Sequence, residues 1–533
     1  MYGRGVVRGR VPVLILAVAV AAALLLHARA WEFVCDDAYI SFRYAKNLAE
    51  HGALEYNLGE RVEGYTNFLW VIVLALGTAV GVAPEALAPW LTQLGALAVV
   101  AAVVWLVRGL RGASAWSVVD LAPALLLAAL PEYVVWAHGG LETSCAAALA
   151  LLAMAAAANG RWRAAGLLTA LAGLTRIDAA LPIGVFVGTW AIGHVLRGTR
   201  ERLPGWREGL VAGALAAGPL VGHALWRLAY YGEWLPNTWA VKRHGALLRD
   251  TYGAWYVAAW ARGLALVWAS PLVVLLRGRH VPVIAAIAAA MVYAWSVGGD
   301  FMAYGRFLVV ATALTAGLVG WLLAEGAARA FGRRGEAVAA AVVAVVAAGL
   351  GVMAHGRWLK DQETRTGWIE GRWEGVAAMD RFARERVHVG RWLKEHVPKT
   401  TGLSVGAAGA LPYASGLRAF DVYGLVDAWP RRIETRPLTR ARPGHQLMAP
   451  MAVILEKDPE LLCHVGYVGA KRPSLASAQS RGFGRGYVWA CVEPGPVEDP
   501  HEPGGVLDLG FYCCLRPRGR GVGPFTDGPV GGP

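Results

Sequence analysis

Residues 35–70 read CDDAYISFRYAKNLAEHGALEYNLGERVEGYTNFLW and follow directly on the first apolar segment of the chain. Asp36 and Asp37 stand together at the mouth of that segment. A carboxylate near a bilayer surface can act as general base towards a hydroxyl. Two adjacent carboxylates repel, so one pKa should rise while the other stays low, and Arg43 is one candidate cation to keep both ionised. The alternative is structural: Asp36 as N-cap of a helix AYISFRYAKNLA, with Asp37 favouring its positive end. Capping does not account for the polar, aromatic GERVEGYTNFLW that follows and contains Glu63.

The elements that must position this pair are membrane helices. The chain has 533 residues, 56% hydrophobic and only 17% charged, with a mean hydropathy of +0.42; a soluble chain of this length carries more charge. Apolar runs such as VPVLILAVAVAAALLL and EAVAAAVVAVVAAGLGVMA approach the roughly 20 residues a span requires. The first run is read as a retained helix, not a cleaved signal. The net charge of +13 is placed by Arg-rich loops that mark cytoplasmic sides and lipid phosphates, so nucleic acid is not expected as a partner and the bilayer is.

Apolar segments fall near 12–30, 66–83, 88–107, 116–136, 141–158, 166–175, 177–196, 209–231, 254–274, 281–299, 305–324 and 336–354. If 66–83 crosses, Arg108 and Arg111 fall outside. If it lies along the outer surface, every basic cluster falls inside, leaving about eleven spans and an external C-terminus. The expected fold class is therefore a mainly α polytopic membrane protein, residues 1–354, with a C-terminal α/β extracytoplasmic domain over 355–515 and a disordered Gly/Pro-rich tail from 516. Four cysteines, Cys463, Cys491, Cys513 and Cys514, lie in that domain. One disulfide is expected if it is extracytoplasmic, with pairing not readable from sequence. No Cys/His spacing suggests zinc. On this topology residues 31–65, HGGLET at 138–143, YYGEWLPNTWAVKRHG at 230–245 and VGGDFMAYGRF at 297–307 gather on one outer face.

With these stretches in place, the sequence resembles the bacterial GT-C glycosyltransferases, integral membrane enzymes that take sugars from polyprenyl-phosphate carriers. It is most similar to the branch of actinobacterial terminal β-(1→2)-arabinofuranosyltransferases. The resemblance rests on the 35–70 stretch, GGLET, LTRID, YYGEWLPNTWAVK, GGDFMAYGRFL, DVYGLVD and PGHQ, in that order. It implies a GT-C-like fold, a polyprenyl-phosphate sugar donor, a glycan or lipid acceptor, location in the bacterial plasma membrane, and a catalytic carboxylate at Asp36 or Asp37. No cofactor is required; a divalent metal is compatible with so many carboxylates.

Transfer from a lipid phosphate also needs cations for the leaving group, and the candidates are Arg43, Arg176, Lys242, Arg243 and Arg306. Arg176 lies inside an apolar run beside Asp178, where a charge is costly and either paired or functional. Glu63, Glu142, Asn237, Asp300 and His445 are the candidates for sugar or acceptor hydroxyls, with Glu142 alternatively a helix cap. Trp31, Trp70, Trp234 and Trp239 read as interfacial belt residues. Two other classes compete with the enzyme: a transporter or lipid-carrier flippase using Arg176 and Asp178 as a conduction pair, and a non-catalytic relative that binds lipid-linked glycans. Charges concentrated in the external loops favour surface chemistry.

Overall fold

The computed structural model describes residues 3–242, 247–364, 367–369, 372–435, 437–438, 442–474, 486–498, 506–507 and 510–526. Seven described helices are long and apolar enough to cross a bilayer, and an eighth is formed if Val118–Ala129 and Pro131–Ala137, bent by 82° at Leu130, count as one span. These are fewer full-length spans than the eleven expected. Thr143–Ala158 and Trp162–Thr175 have only 16 and 14 residues, so they fall short of the usual 20. The chain does break at Arg176, which is extended (φ −155°, ψ 118°) between the helix ending at Thr175 and the next turn at Ile177.

The helix Phe68–Ala79 has 12 residues, roughly 18 Å, which cannot span a hydrocarbon core of about 30 Å. The next helix, Pro84–Arg111, begins with proline in its first turn, where no donor is lost, and ends at Gly112 in the left-handed conformation. At that end Arg108 and Arg111 both pair with the buried Asp120.

The acidic pair opens the helix Asp36–His51. Its N-cap is Cys35, so Asp36 and Asp37 are the first two helical residues and Asp36 is not the cap. Two carboxylates in the first turn suit the positive end of the helix dipole. The helix stops at Gly52, φ 67°, a conformation only glycine adopts at low cost. Its start is pinned to the HGG loop: Phe33 O accepts from Gly139 N at 2.9 Å, and Cys35 N donates to Gly139 O at 3.1 Å.

The last membrane helix, Gly335–Glu363, continues nine residues past the boundary drawn at 354. The C-terminal domain, termed the outer domain after its expected orientation, packs the helix Val376–His396 against a five-stranded sheet. Its strands are β1 Gly402–Val405, β2 Arg418–Asp421, β3 Leu461–Gly469, β4 Tyr487–Val492 and β5 Phe511–Pro517. The order is β2-β1-β3-β5-β4, parallel across β2, β1 and β3 and antiparallel beyond. Two disulfides form where one was expected, Cys463–Cys514 and Cys491–Cys513. Neighbouring residues of a strand face opposite ways, so adjacent Cys513 and Cys514 on β5 bind the strands on either side, one on each face. The tail read as disordered from 516 is part of this domain at least to 526. Arg516 and Val522 are buried, and Phe525 packs on Trp392; residues 527–533 lie outside the described residues.

Candidate functional site

A cavity of about 750 Å³ opens between the membrane helices and the outer domain. Its walls include Asp36 and Asp37 from the first loop, Glu142, Arg176 and Asp178 from the broken helix pair, Asp300 and Arg306, and Arg442 and His445 from the outer domain. Stretches up to about 400 residues apart in sequence thus meet at one place.

The two aspartates differ. Asp36 Oδ1 accepts from Ala410 N at 2.9 Å and Oδ2 from Gly409 N at 3.2 Å. The loop that reaches it, GAAG at 406–409, connects β1 to the short helix Ala410–Ser415 and has no room for a side chain at Gly409. A Cβ there would lie 1.9 Å from Asp36 O. Burial holds the Asp36 carboxyl up at about 6; the Ala410 N–H draws it down and the charge of Asp37 pushes it higher. Asp37 is half-buried on the cavity wall and faces Arg306 and Glu374 electrostatically.

Glu142 is the centre of a second network. Its Oε1 accepts from Arg176 Nη1 at 2.8 Å and its Oε2 from Asn67 Nδ2 at 2.7 Å, while Asn67 also bonds Ser41. Burial pushes the Glu142 carboxyl up, but Arg176, Arg306 and Asn67 outweigh it and hold it below the usual range. Arg176 is shared with Asp178 at 3.0 Å. Arg306 Nε lies 2.7 Å from Asp300 Oδ2, and its guanidinium sits near the Trp136 and Phe307 rings.

Three expected site residues do structural work instead. Arg43 does not line the cavity. Its guanidinium donates to the carbonyls of Tyr56, Pro412 and Leu417 and to Asn57 Oδ1, so it ties the first loop to the outer domain. Asn237 donates to the carbonyls of Gly424, Leu425 and Asp427, another tie of the same kind. Glu63 lies behind the cavity wall and pairs with Arg227, Oε1 to Nη2 at 3.1 Å. Arg243 and the side chain of Lys242 lie outside the described residues. Trp31 and Trp70 are buried, not interfacial, whereas Trp234 and Trp239 are exposed and line the cavity.

His445 is half-buried, with its ring edge-on to Phe301 and Tyr423 at 5.4 and 4.8 Å. Beside it Arg442 spans Phe301 and Trp368 and pairs with Glu374 at 3.6 Å. Arg227, Glu374, Asp421 and Arg442 also line the cavity and were not anticipated. Arg227 was readable as a charge within an apolar run. Asp421 stands in DVYGLVD, where its carboxylate accepts the N–H groups of Tyr423, Leu425 and Val426 and so shapes that turn. Among the described residues, no three His, Cys, Asp or Glu side chains are grouped to hold a metal ion.

A model for a domain of unknown function (DUF8728) matches residues 376–490, within the outer domain. No curated protein matches the chain. Among solved structures, ArnT from Cupriavidus metallidurans bound to undecaprenyl phosphate aligns over 94% of this chain and 97% of its own, at 14% identity and TM-score 0.55. Its apo state aligns over the same shares at 14% identity and TM-score 0.56. The arabinosyltransferase EmbB from Mycobacterium smegmatis aligns over 75% of this chain and 39% of its own, at 16% identity and TM-score 0.36, too low to bear on either fold or sugar. The ArnT alignments show a shared fold: mainly helical, with apolar helices of membrane-spanning length and a small C-terminal sheet domain.

Proposed function

We propose that the chain is a membrane glycosyltransferase that moves a sugar from a polyprenyl-phosphate carrier to a cell-envelope glycan or lipid acceptor. The reading is carried by one juxtaposition. A carboxylate pair, Asp36 and Asp37, shares a cavity with Arg176 and Arg306, and the same cavity has an apolar side at Leu174, Ile177, Leu220 and Leu235 suited to a lipid chain. Asp37 is the general base: it takes the acceptor hydroxyl proton as the oxygen attacks the anomeric carbon. The bond from that carbon to phosphate oxygen breaks, and its electrons leave with the polyprenyl phosphate. Arg306 and Arg176 meet the phosphate charge, and Asp300 and Glu142 hold them in place. Asp36, engaged by two backbone N–H groups, fixes the helix start relative to the outer domain. His445 and Arg442 form the wall nearest the acceptor. Arabinofuranose is proposed as the donor sugar, and the reaction requires no cofactor.

The site is assigned to the external face of a bacterial plasma membrane. Supporting this orientation, both disulfides lie in the outer domain, and such bonds persist in oxidising compartments. The test is to incubate purified protein in lipid with a panel of radiolabelled polyprenyl-phosphate sugars, with and without a chelator, and to measure released polyprenyl phosphate. Release with one sugar and an added acceptor is expected, undiminished by the chelator. Translocation of the carrier without release would establish a flippase instead.

A further inference from the structure

The turn that delivers Arg306 is strained. Tyr304 and Gly305 are both left-handed, at φ 59° and 69°. Glycine adopts this conformation freely, but a bulky aromatic residue does so only where its surroundings hold it there. Tyr304 is 1% exposed, and its ring is enclosed on several sides. Trp31 meets it edge-on at 5.1 Å, Trp373 lies at 6.0 Å, and the Arg357 guanidinium lies over it at 4.7 Å. Arg357, near the end of the last membrane helix, forms an ion pair at 2.5 Å with Glu132, which is fully buried at the 82° bend of the broken span. Space for that carboxylate is left by Gly263, where a Cβ would lie 1.9 Å from Glu132 Oε1. Neither Glu132 nor Arg357 lines the cavity.

We propose that the buried Glu132–Arg357 pair clamps the Tyr304 ring, and that through the left-handed Tyr304-Gly305 turn it sets the position of Arg306 in the cavity. Both are positioning residues for a group that, on the function proposed above, meets the donor phosphate. The pair joins the last membrane helix to the bent span, so the height of Arg306 is set by elements that touch no substrate.

Removing one partner strands a buried charge and is expected to unfold the protein. The informative variant is therefore the neutral double substitution Glu132→Gln with Arg357→Met. A matched control is Asp120→Asn with Arg108→Met and Arg111→Met, which neutralises the whole ion-pair cluster at the far end of the Pro84–Arg111 helix. Two readouts are taken: the rate of phenylglyoxal modification of Arg306, mapped by mass spectrometry, and the donor KM. In the first double variant Arg306 should react several-fold faster. Its donor KM should rise about tenfold, the size of one charge-assisted hydrogen bond, with kcat changing less. The control should move neither. Unchanged Arg306 reactivity in the first variant, or an equal change in the control, overturns the positioning role. Because that reactivity needs no donor, it reports on the clamp even if the chain transfers no sugar, whereas failure of wild-type protein to release polyprenyl phosphate overturns the function alone.

Discussion

The carboxylate of Asp36 binds the backbone N–H groups of Gly409 and Ala410, which lie 373 and 374 positions further along the chain. One side chain thus joins the start of the Asp36–His51 helix to the C-terminal domain, and the absence of a side chain at Gly409 permits it. Gly409→Ala places a methyl against backbone, where nothing flexible can give way. It should destabilise the protein by about 1–3 kcal/mol, seen as a lower thermal midpoint together with reduced turnover. An unchanged midpoint would mean that the contact does not hold in solution.

Asp36→Asn and Asp37→Asn should separate structure from chemistry. An asparagine at 36 can accept one of the two N–H groups but turns an amide donor towards the other, which costs about 1–3 kcal/mol. Its main effect should be on thermal stability. At 37 the same change removes the base and should lower turnover about a hundred- to ten-thousandfold with the midpoint preserved. The reverse pattern would make Asp36 the base.

Stability should rise on mild acidification. Burial raises the carboxyls of Asp36 and Asp421 from an ordinary 3.8 to about 6. An acid held up in the folded state binds its proton more tightly there. The stability it contributes is complete below the unfolded value and is lost as pH rises through the folded one. The window is therefore between about pH 4 and 6. Thermal midpoints should climb as pH falls from 7 to 5, and less steeply in Asp421→Asn. A midpoint that falls over this range would contradict the burial of both groups.

Thiol counting tests the outer-domain pairing. The oxidised protein, unfolded without reductant, should alkylate at two cysteines, Cys35 and Cys145, and at all six after reduction. Loop lengths of 51 and 22 residues make Cys463–Cys514 worth about 4 kcal/mol and Cys491–Cys513 about 3 kcal/mol in a chain-entropy account. Replacing the first pair by serine should therefore lower the midpoint more.

Topology is open to direct labelling. With Phe68–Ala79 too short to cross, Ala86 stays on the same side as Asp36. A cysteine there, with Cys35 and Cys145 replaced by serine, should react with an impermeant thiol reagent in intact cells. Labelling only after permeabilisation would require the 66–83 segment to cross.

Much of this protein was legible in one dimension. The apolar helical runs, the break at Arg176 and the acidic pair at a helix start all follow from hydropathy, charge and helix-end preferences, which act over a turn or two of chain; the number of full-length spans, seven or eight by length where eleven were expected, does not. The gathering of the four polar stretches on one face followed from topology, because a bilayer restricts where polar loops can lie. What the sequence could not decide is which polar residues face the cavity and which face each other. Arg43 and Glu63 sit in the same stretch as Asp37, and Asn237 in another of the stretches that gather at the cavity, yet they bind carbonyls or Arg227. Their partners lie 13 to 374 positions away, and only the packed fold brings them into reach. The same holds for the pairing of Cys513 and Cys514 and for the seat of Tyr304 beneath Arg357. A buried polar group must find a partner, but its residue type does not say whether that partner is backbone, another side chain or a substrate; the path of the chain through space decides.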